Sequence, residues 1–259
     1  MAIDLFSIGR LTVHGYGLMI GIGFLIGIYV GCTRAKMLGL SDNHVMNISI
    51  YVITIGFLGG KILYVIVNFK EFMRNPLSTL GSGGFVVYGG IVTGVLSIFV
   101  YCRLKKISFL TYMDIMSASV AINQGFGRIG CFLAGCCYGK ETESHFGVVF
   151  PDGCLAPAGV RLVPTQLMSA AFDFVLAFFL IYITKKCKSR GMVSGVYLLF
   201  YGIGRFIVEF FRGDEERGMV GAISTSQFIS IFMVIFAVGY IVFSMKKKQP
   251  VEYTVRCEA

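Results

Sequence analysis

The side chains best suited to chemistry are three arginines and a glutamate within or beside apolar segments: Arg128, Arg205, Glu209 and Arg212. A guanidinium carries five N–H donors in a rigid fork that fits a phosphate. A charged group at membrane depth is costly and marks a functional site. Because Arg205 and Glu209 are four residues apart, they share one helical face and can pair. The alternatives are a purely structural ion pair and a helix-end arginine extending to lipid head groups. The set predicts a site for an anion, with a lipid phosphate as the expected ligand.

Arg128 lies in a glycine-rich stretch, Gly125-Phe-Gly-Arg128-Ile-Gly-Cys131-Phe-Leu-Ala-Gly-Cys136-Cys137-Tyr138-Gly139. Glycines permit the close approach of a backbone or a head group. The cysteines match neither a usual zinc spacing nor a CxxC redox pair. Two alternatives are left: one of these cysteines forms a disulfide with Cys154, or one of them is a nucleophile with His145 as its base. The pattern predicts neither a metal nor a cofactor.

Other polar side chains stand near predicted membrane segments. Tyr16 either anchors a helix at the membrane interface or turns its phenol inward to bind a polar group. His14 either caps the same helix or contributes to the site. Lys61 lies within an apolar run and needs a partner or water. The glycines around Tyr88 either break a helix to line a cavity or allow tight packing.

The elements that position these residues are expected to be membrane helices. The 259 residues are 56% hydrophobic and 14% charged, with a mean hydropathy of +0.76. A soluble domain of this size needs more polar surface. The net charge of +9 comes from basic residues in short loops between apolar runs, so a nucleic-acid partner is not expected. No cleavable signal peptide is expected, because the first apolar run lacks a basic leader and a cleavage site.

The apolar pattern predicts an all-α, polytopic membrane protein with about seven spans of roughly 20 residues each. The expected spans are residues 11–33, 46–68, 85–102, 111–132, 166–184, 192–211 and 224–243. They form a single transmembrane domain over residues 1–245, with an outer head or lid segment at about 134–165 and a basic tail at 246–259. The fourth span is the most polar.

The basic residues also predict orientation. The loops after the first, third and fifth spans and the C-terminal tail are rich in Lys and Arg, whereas the alternate loops are mixed in charge. Basic loops favour the cytoplasmic side. The N-terminus is therefore expected outside and the C-terminus inside, with Arg128, Arg205 and Arg212 in the outer half.

These residues stand in motifs that run nearly the whole length of the chain and resemble those of the prolipoprotein diacylglyceryl transferase family. The motifs are Leu5-Phe-Ser-Ile-Gly9, His14-Gly-Tyr16-Gly-Leu-Met19, Gly59-Gly-Lys-Ile-Leu-Tyr64, Phe72-Met-Arg-Asn-Pro-Leu77, Gly89-Gly90, Gly127-Arg128-Ile-Gly130, Pro164-Thr-Gln166-Leu and Arg205-Phe-Ile-Val-Glu209-Phe-Phe-Arg212. The resemblance implies a multi-pass enzyme of the bacterial inner membrane. Such enzymes move the diacylglyceryl group of phosphatidylglycerol onto the lipobox cysteine thiol of a prolipoprotein and release glycerol phosphate.

The resemblance also implies roles for single residues. Arg128 and Arg205 hold the phosphodiester and stabilise the leaving charge, and Glu209 orients Arg205. Tyr16 completes the implied catalytic set. The implied substrate-binding set adds Gly139, Gln166, Tyr88, His14 and Arg212 to the two arginines.

The chain departs from the family pattern at several positions. Met168 and Ser169 follow the Pro-Thr-Gln-Leu motif, where an aromatic–acidic pair is common. Tyr88 stands where the family usually has a histidine, Cys131 where it has an asparagine, and Cys136 where it has a glutamate. A thiol is a weak substitute for either hydrogen-bonding group, and tyrosine has a far higher reference pKa than histidine. Three alternatives therefore stay open: a divergent member with another donor or acceptor, a non-catalytic binder or transporter of anionic lipid, and a thiol-redox membrane protein.

Overall fold

The computed structural model describes residues 4–8, 11–187, 189–214, 218–221 and 223–247. These residues are mainly helical, and the helices are α1 (Gly15–Met37), α2 (Asp42–Val67), α3 (Phe69–Arg74), α4 (Pro76–Gly81), α5 (Val87–Lys105), α6 (Phe109–Ala134), α7 (Thr165–Thr184), α8 (Met192–Glu209) and α9 (Thr225–Lys247). One antiparallel two-stranded ribbon precedes α1, formed by β1 (Asp4–Ile8) and β2 (Leu11–His14). Two more lie between helices: β3 (Val148–Val149) with β4 (Arg161–Leu162) after α6, and β5 (Met219–Val220) with β6 (Ile223–Ser224) after α8.

The all-α polytopic architecture is confirmed. Within the described residues, 6 helices are long and apolar enough to cross a membrane, namely α1, α2, α5, α7, α8 and α9. The expected fourth span coincides with α6, which is long but too polar to count by hydropathy, so seven spans stay a prediction. The first span begins later than expected, because residues 11–14 form β2. Most of the predicted tail lies outside the described residues.

Helix α6 is the centre of the bundle, and its polar residues are used for packing. It packs most extensively against α1 and α7, and also contacts α8. The buried carboxylate of Asp114 accepts the backbone N–H of Gly191 at 2.7 Å and that of Ser194 at 2.8 Å, so it caps the start of α8. Gln124 accepts a hydrogen bond from the Tyr197 hydroxyl at 2.9 Å. The polarity of α6 thus holds neighbouring helices together.

Asp114→Ala is expected to lower the free energy of unfolding by about 1–3 kcal/mol, because two buried N–H groups lose their acceptor. The measurement is the thermal unfolding midpoint of the purified protein in detergent. Asp152→Ala is the control, since Asp152 is exposed in the head segment. Equal midpoints for the two variants would contradict the capping role.

Helices α2 and α5 pack through glycines. A Cβ on Gly89 would lie 2.5 Å from the carbonyl oxygen of Gly59, so only glycine allows this approach. Lys61 Nζ donates to the carbonyl oxygens of Ser82 at 2.6 Å and Gly84 at 3.2 Å, in the non-helical segment before α5. The structure therefore supports tight packing as the explanation of Gly89, whereas Gly83 and Gly84 lie in the non-helical segment.

The bundle has a basic end and an opposite end that carries the candidate site. Arg34, in the last turn of α1, donates to the Ile115 carbonyl and, at 2.5 Å, to Thr184 Oγ1, which joins α1, α6 and α7 there. Ser244 joins α9 to the same end through the carbonyl of Arg190. Tyr16, Arg128, Arg205 and Arg212 all lie toward the other end.

Candidate functional site

A narrow cavity lies between α6, α7 and α8 at the end opposite the basic loops. Its lining residues are Arg128, Ser169, Phe172, Asp173, Tyr201, Gly204, Arg205 and Val208. Two of the three arginines singled out in the sequence therefore share one cavity. Because the cavity is narrow, a phosphodiester can enter only if the side chains around it move.

Arg205 is fixed from two sides. Its Nη2 lies 3.2 Å from Glu209 Oε2, one helical turn away on α8, and donates to Ser226 Oγ on α9 at 2.9 Å. The Glu209 side chain is 2% exposed, so this is a buried ion pair. The i, i+4 pairing expected from the sequence is thus observed, and it leaves Arg205 with a defined position on the cavity wall.

Arg212 belongs to the same ionic network but already has partners. It forms a two-pronged interaction with Asp214, from Nε to Oδ1 at 3.1 Å and from Nη2 to Oδ2 at 2.6 Å. Its Nη1 also lies 4.0 Å from Glu209 Oε2. Arg212 is therefore mostly neutralised, and it lies beside the cavity, whose lining does not include it.

Arg128 differs from the other two arginines. Among the described residues it forms no ion pair within 4.0 Å, although Tyr201 and Asp173 are close enough to act on it electrostatically. It is half-buried and lines the cavity. A half-buried guanidinium without a carboxylate partner is costly unless an anion joins it. Of the three arginines Arg128, Arg205 and Arg212, Arg128 is therefore the one best suited to bind an anion.

Tyr16 lies beside the Arg128 stretch. A Cβ on Gly130 would come 3.0 Å from Tyr16 Cδ2 and 3.2 Å from the Tyr16 carbonyl oxygen, so α1 and α6 pack closely here. The Tyr16 side chain is 44% exposed. The predicted phenol is therefore near Arg128, and its role in catalysis stays a prediction.

Helix α6 ends in a turn that binds the start of α7. Gly135 has φ +69°, a left-handed conformation that favours glycine, and the following N–H of Cys136 donates to the Cys131 carbonyl at 3.1 Å. Gln166 Nε2 donates to the Cys136 carbonyl at 2.8 Å. Gln166 is 1% exposed, and its Oε1 has no hydrogen-bond partner among the residues that the structure describes. Gln166 is not among the residues that line the cavity, so its predicted role in substrate binding stays a prediction.

Three thiols meet at the same turn: Cys131, Cys136 and Cys137 have all their Sγ atoms within 4.8 Å of one another. The seven described cysteines are unpaired thiols, so a disulfide with Cys154 is not formed. The thiols of Cys131 and Cys136, and then the guanidiniums of Arg212 and Arg128, hold the pKa of Cys137 well below its usual value. His145 is exposed in the head segment.

Gly139 holds the head segment to the end of α8. Its N–H donates to the Val163 carbonyl at 2.9 Å, and the next N–H, from Lys140, donates to the Phe211 carbonyl at 2.9 Å. A Cβ on Gly139 would lie 2.5 Å from the Val163 oxygen and 2.8 Å from the Phe211 oxygen. The close approach predicted here is to the protein's own backbone, and substrate contact by Gly139 stays a prediction.

Gly139→Ala is expected to cost about 1–3 kcal/mol of stability, because the added methyl group forces the Val163 and Phe211 backbones apart. Activity should fall with it, since Gly139 pairs with Arg212 in an isolated β-bridge and so helps to hold this arginine. The unfolding midpoint in detergent is the measurement. Gly239→Ala on α9 is the matched control, because a Cβ there meets nothing within 4 Å. A Gly139→Ala variant as stable as the control would contradict this packing argument.

Two predicted residues lie elsewhere. Tyr88, in the first turn of α5, is 55% exposed, and His14 precedes α1 and is exposed. Within the described part of the chain, the cavity lining includes neither of them. Their predicted roles in substrate binding stay untested predictions.

Among the cavity residues that sequence reasoning missed, two have titratable side chains, Asp173 and Tyr201. Asp173 is buried on α7 and close enough to interact electrostatically with both Arg128 and Arg205. The available signal was a carboxylate inside an apolar run. Tyr201 stands one helical turn before Arg205, which is the spacing that puts two side chains on one face.

The model of the prolipoprotein diacylglyceryl transferase family matches residues 4–243. The chain belongs to this family. A phosphatidylglycerol–prolipoprotein diacylglyceryl transferase of Clostridium tetani is 46% identical over 245 residues, covering 94% of this chain and 97% of the relative. A protein of Clostridium perfringens with the same name and the number 2 is 46% identical over 238 residues, covering 91% and 92%. A Finegoldia magna relative with the same name is 31% identical over 236 residues, covering 90% and 92%.

Membership confirms the resemblance drawn from the motifs. The family match spans the cavity, the Arg205–Glu209 pair and the turn after α6, so the site described here lies within the part that defines the prolipoprotein diacylglyceryl transferase family. The departures expected at Tyr88, Cys131 and Cys136 stay predictions.

Proposed function

We propose that this protein transfers the diacylglyceryl group of phosphatidylglycerol to the lipobox cysteine thiol of a prolipoprotein. The observation that carries the proposal is Arg128, an arginine without a carboxylate partner among the described residues, in a cavity shared with Arg205. Family membership and the names of the clostridial relatives support the same reaction. The reaction needs no redox cofactor, because exchanging a C–O bond for a C–S bond involves no net oxidation or reduction.

The arginines act on the phosphate. In the reaction the thiol sulfur attacks the terminal glyceryl carbon, the bond from that carbon to the phosphate oxygen breaks, and glycerol phosphate leaves with the electron pair. Arg128 and Arg205 donate to the phosphate oxygens and stabilise the added negative charge. Glu209 and Ser226 hold Arg205 in position, so little reorganisation is needed during the reaction.

The thiol proton also needs an acceptor. Tyr88 replaces the family histidine and lies outside the cavity lining, whereas Asp173 is a buried carboxylate within it. Asp173 faces Arg128 and Arg205, where the nucleophile must approach. We assign Asp173 as the group that takes the thiol proton when the C–S bond forms.

Asp173→Asn is expected to reduce kcat by about 100-fold or more, because asparagine keeps the shape of the side chain but cannot accept the proton. The KM for phosphatidylglycerol should change little. Steady-state kinetics on reconstituted protein measure both values, and Asp152→Asn in the exposed part of the head segment is the control. A kcat equal to that of the control would remove Asp173 from the reaction.

The reaction itself is tested with purified protein, phosphatidylglycerol labelled in its diacylglyceryl part and a lipobox peptide. The expected result is a mass increase on the peptide cysteine together with release of glycerol phosphate. A serine in place of the peptide cysteine should abolish the transfer. If a relative is active in the same assay but this protein forms no product, another lipid donor or acceptor is favoured. If labelled lipid moves across the membrane without product, a transporter is favoured.

We further propose that the protein resides in the bacterial cytoplasmic membrane with its N-terminus outside and its C-terminus in the cytoplasm. The end that carries Arg34 and Arg190 has the basic loops, which favour the cytoplasm. The cavity then opens toward the outer half, where prolipoproteins present their cysteine. Reporter fusions at the two termini test this orientation, and a cytoplasmic N-terminus would reverse it.

A further inference from the structure

The three thiols at the end of α6 form a cluster that the transfer reaction does not use. Cys131 lies in the last turn of α6, the left-handed Gly135 ends the helix, and Cys137 is itself in a left-handed conformation with φ +61°. This turn brings Cys136 and Cys137 back over Cys131, with all three Sγ atoms within 4.8 Å of one another. The spacing in the sequence does not reveal the cluster, because it depends on the turn.

The spacing of the sulfur atoms suits a bound ion. A zinc–sulfur bond is about 2.3 Å long, so three thiolates around one ion place their sulfur atoms about 4 Å apart. The observed separations therefore need little change. Thiolates select ions such as Zn²⁺ and Cu⁺ over Mg²⁺ or Ca²⁺. The three side chains are partly buried, which shields the ion while leaving it a route in.

The positive charge of nearby arginines favours a metal ion bound by three thiolates. Three thiolates and one divalent ion carry a net charge of −1. The guanidinium of Arg128 acts electrostatically on Cys131 and Cys137, and that of Arg212 acts on Cys137. Arg212 already has Asp214 as its partner, so Arg128 is the cation that such an anionic complex would hold.

We propose that Cys131, Cys136 and Cys137 bind one thiophilic d¹⁰ metal ion, with Zn²⁺ as the reference ion, and that the bound complex holds Arg128 and inhibits transfer. Binding releases the three S–H protons to solvent and involves no change in oxidation state. The inhibitory part rests on the proposed function of Arg128 as the phosphate-binding group, whereas the binding part does not.

Binding is tested with Cd²⁺ as the probe, added to metal-free, fully reduced protein in detergent. The expected result is an ultraviolet thiolate-to-metal absorption band that saturates at one ion per chain and is reversed by excess Zn²⁺. A thiol reagent should count three fewer reactive thiols after Cd²⁺ is bound. Cys131→Ser and Cys136→Ser should each lose the band, and Cys154→Ser should keep it, because Cys154 packs against Gly135 outside the cluster.

A wild-type protein without the band, or an unchanged band in Cys131→Ser, would overturn the site. The thiol count on wild-type protein decides the question even if a serine variant fails to fold.

In the transfer assay, Zn²⁺ should inhibit wild type and Cys154→Ser alike, and a chelator should restore activity. A saturated site with full activity would overturn the inhibitory part, and a protein that shows no transfer but still binds Cd²⁺ would place the failure in the proposed reaction.

Discussion

Arg128→Ala is expected to reduce diacylglyceryl transfer by about 100- to 1,000-fold, the usual effect of removing one group that stabilises developing charge in a closed site. The reason is that Arg128 has no carboxylate partner among the described residues and lines the cavity with Arg205. Folding should be retained, because no ion pair of the described structure is broken. The measurement is transfer of label to a lipobox peptide, with the unfolding midpoint recorded in parallel.

Two further variants sharpen this result. Arg128→Lys should recover only part of the activity, because an ammonium keeps the charge but lacks the planar fork that binds two phosphate oxygens. Arg103→Ala is the matched control, since Arg103 is exposed and lies in the last turn of α5, at the basic end of the bundle opposite the cavity. Full activity in Arg128→Ala would remove this arginine from the mechanism and weaken the assignment of the cavity as the active site.

Glu209→Gln is expected to lower stability by about 3–5 kcal/mol, because it breaks a largely buried ion pair and leaves Arg205 without its ion-pair partner. The Glu209 carboxylate is 2% exposed and lies between Arg205 at 3.2 Å and Arg212 at 4.0 Å. Transfer should fall as well, since Arg205 loses one of the two groups that position it. The measurements are the unfolding midpoint in detergent and the transfer rate below that midpoint.

A double-mutant cycle separates the two effects. If Glu209 acts mainly through Arg205, then Glu209→Gln combined with Arg205→Gln should be more stable than the sum of the single losses predicts. Glu143→Gln is a suitable control, because Glu143 is exposed in the head segment. Additive losses would show that the pair is not coupled, and Glu209 would then owe its effect to Arg212.

The sequence by itself determined the class of the protein and much of its site. Apolar runs of helical length are a local property, so they predicted the all-α membrane architecture and the positions of the long helices to within a few residues. The Arg205–Glu209 pair could also be predicted from the sequence, because helical geometry brings residues four apart together. The family motifs supplied the chemistry.

What only the tertiary structure decided depends on contacts between elements far apart in sequence. Helix packing placed Asp173 and Tyr201 in the cavity with Arg128 and left Tyr88 outside its lining. The same packing gave Asp114 a capping role on another helix and made α6 the polar centre of the bundle. A pattern along the chain reports which face of a helix is apolar, but the neighbour of that face is chosen by the fit of all helices together. The thiol cluster depends on one left-handed turn, whose geometry the cysteine spacing does not reveal.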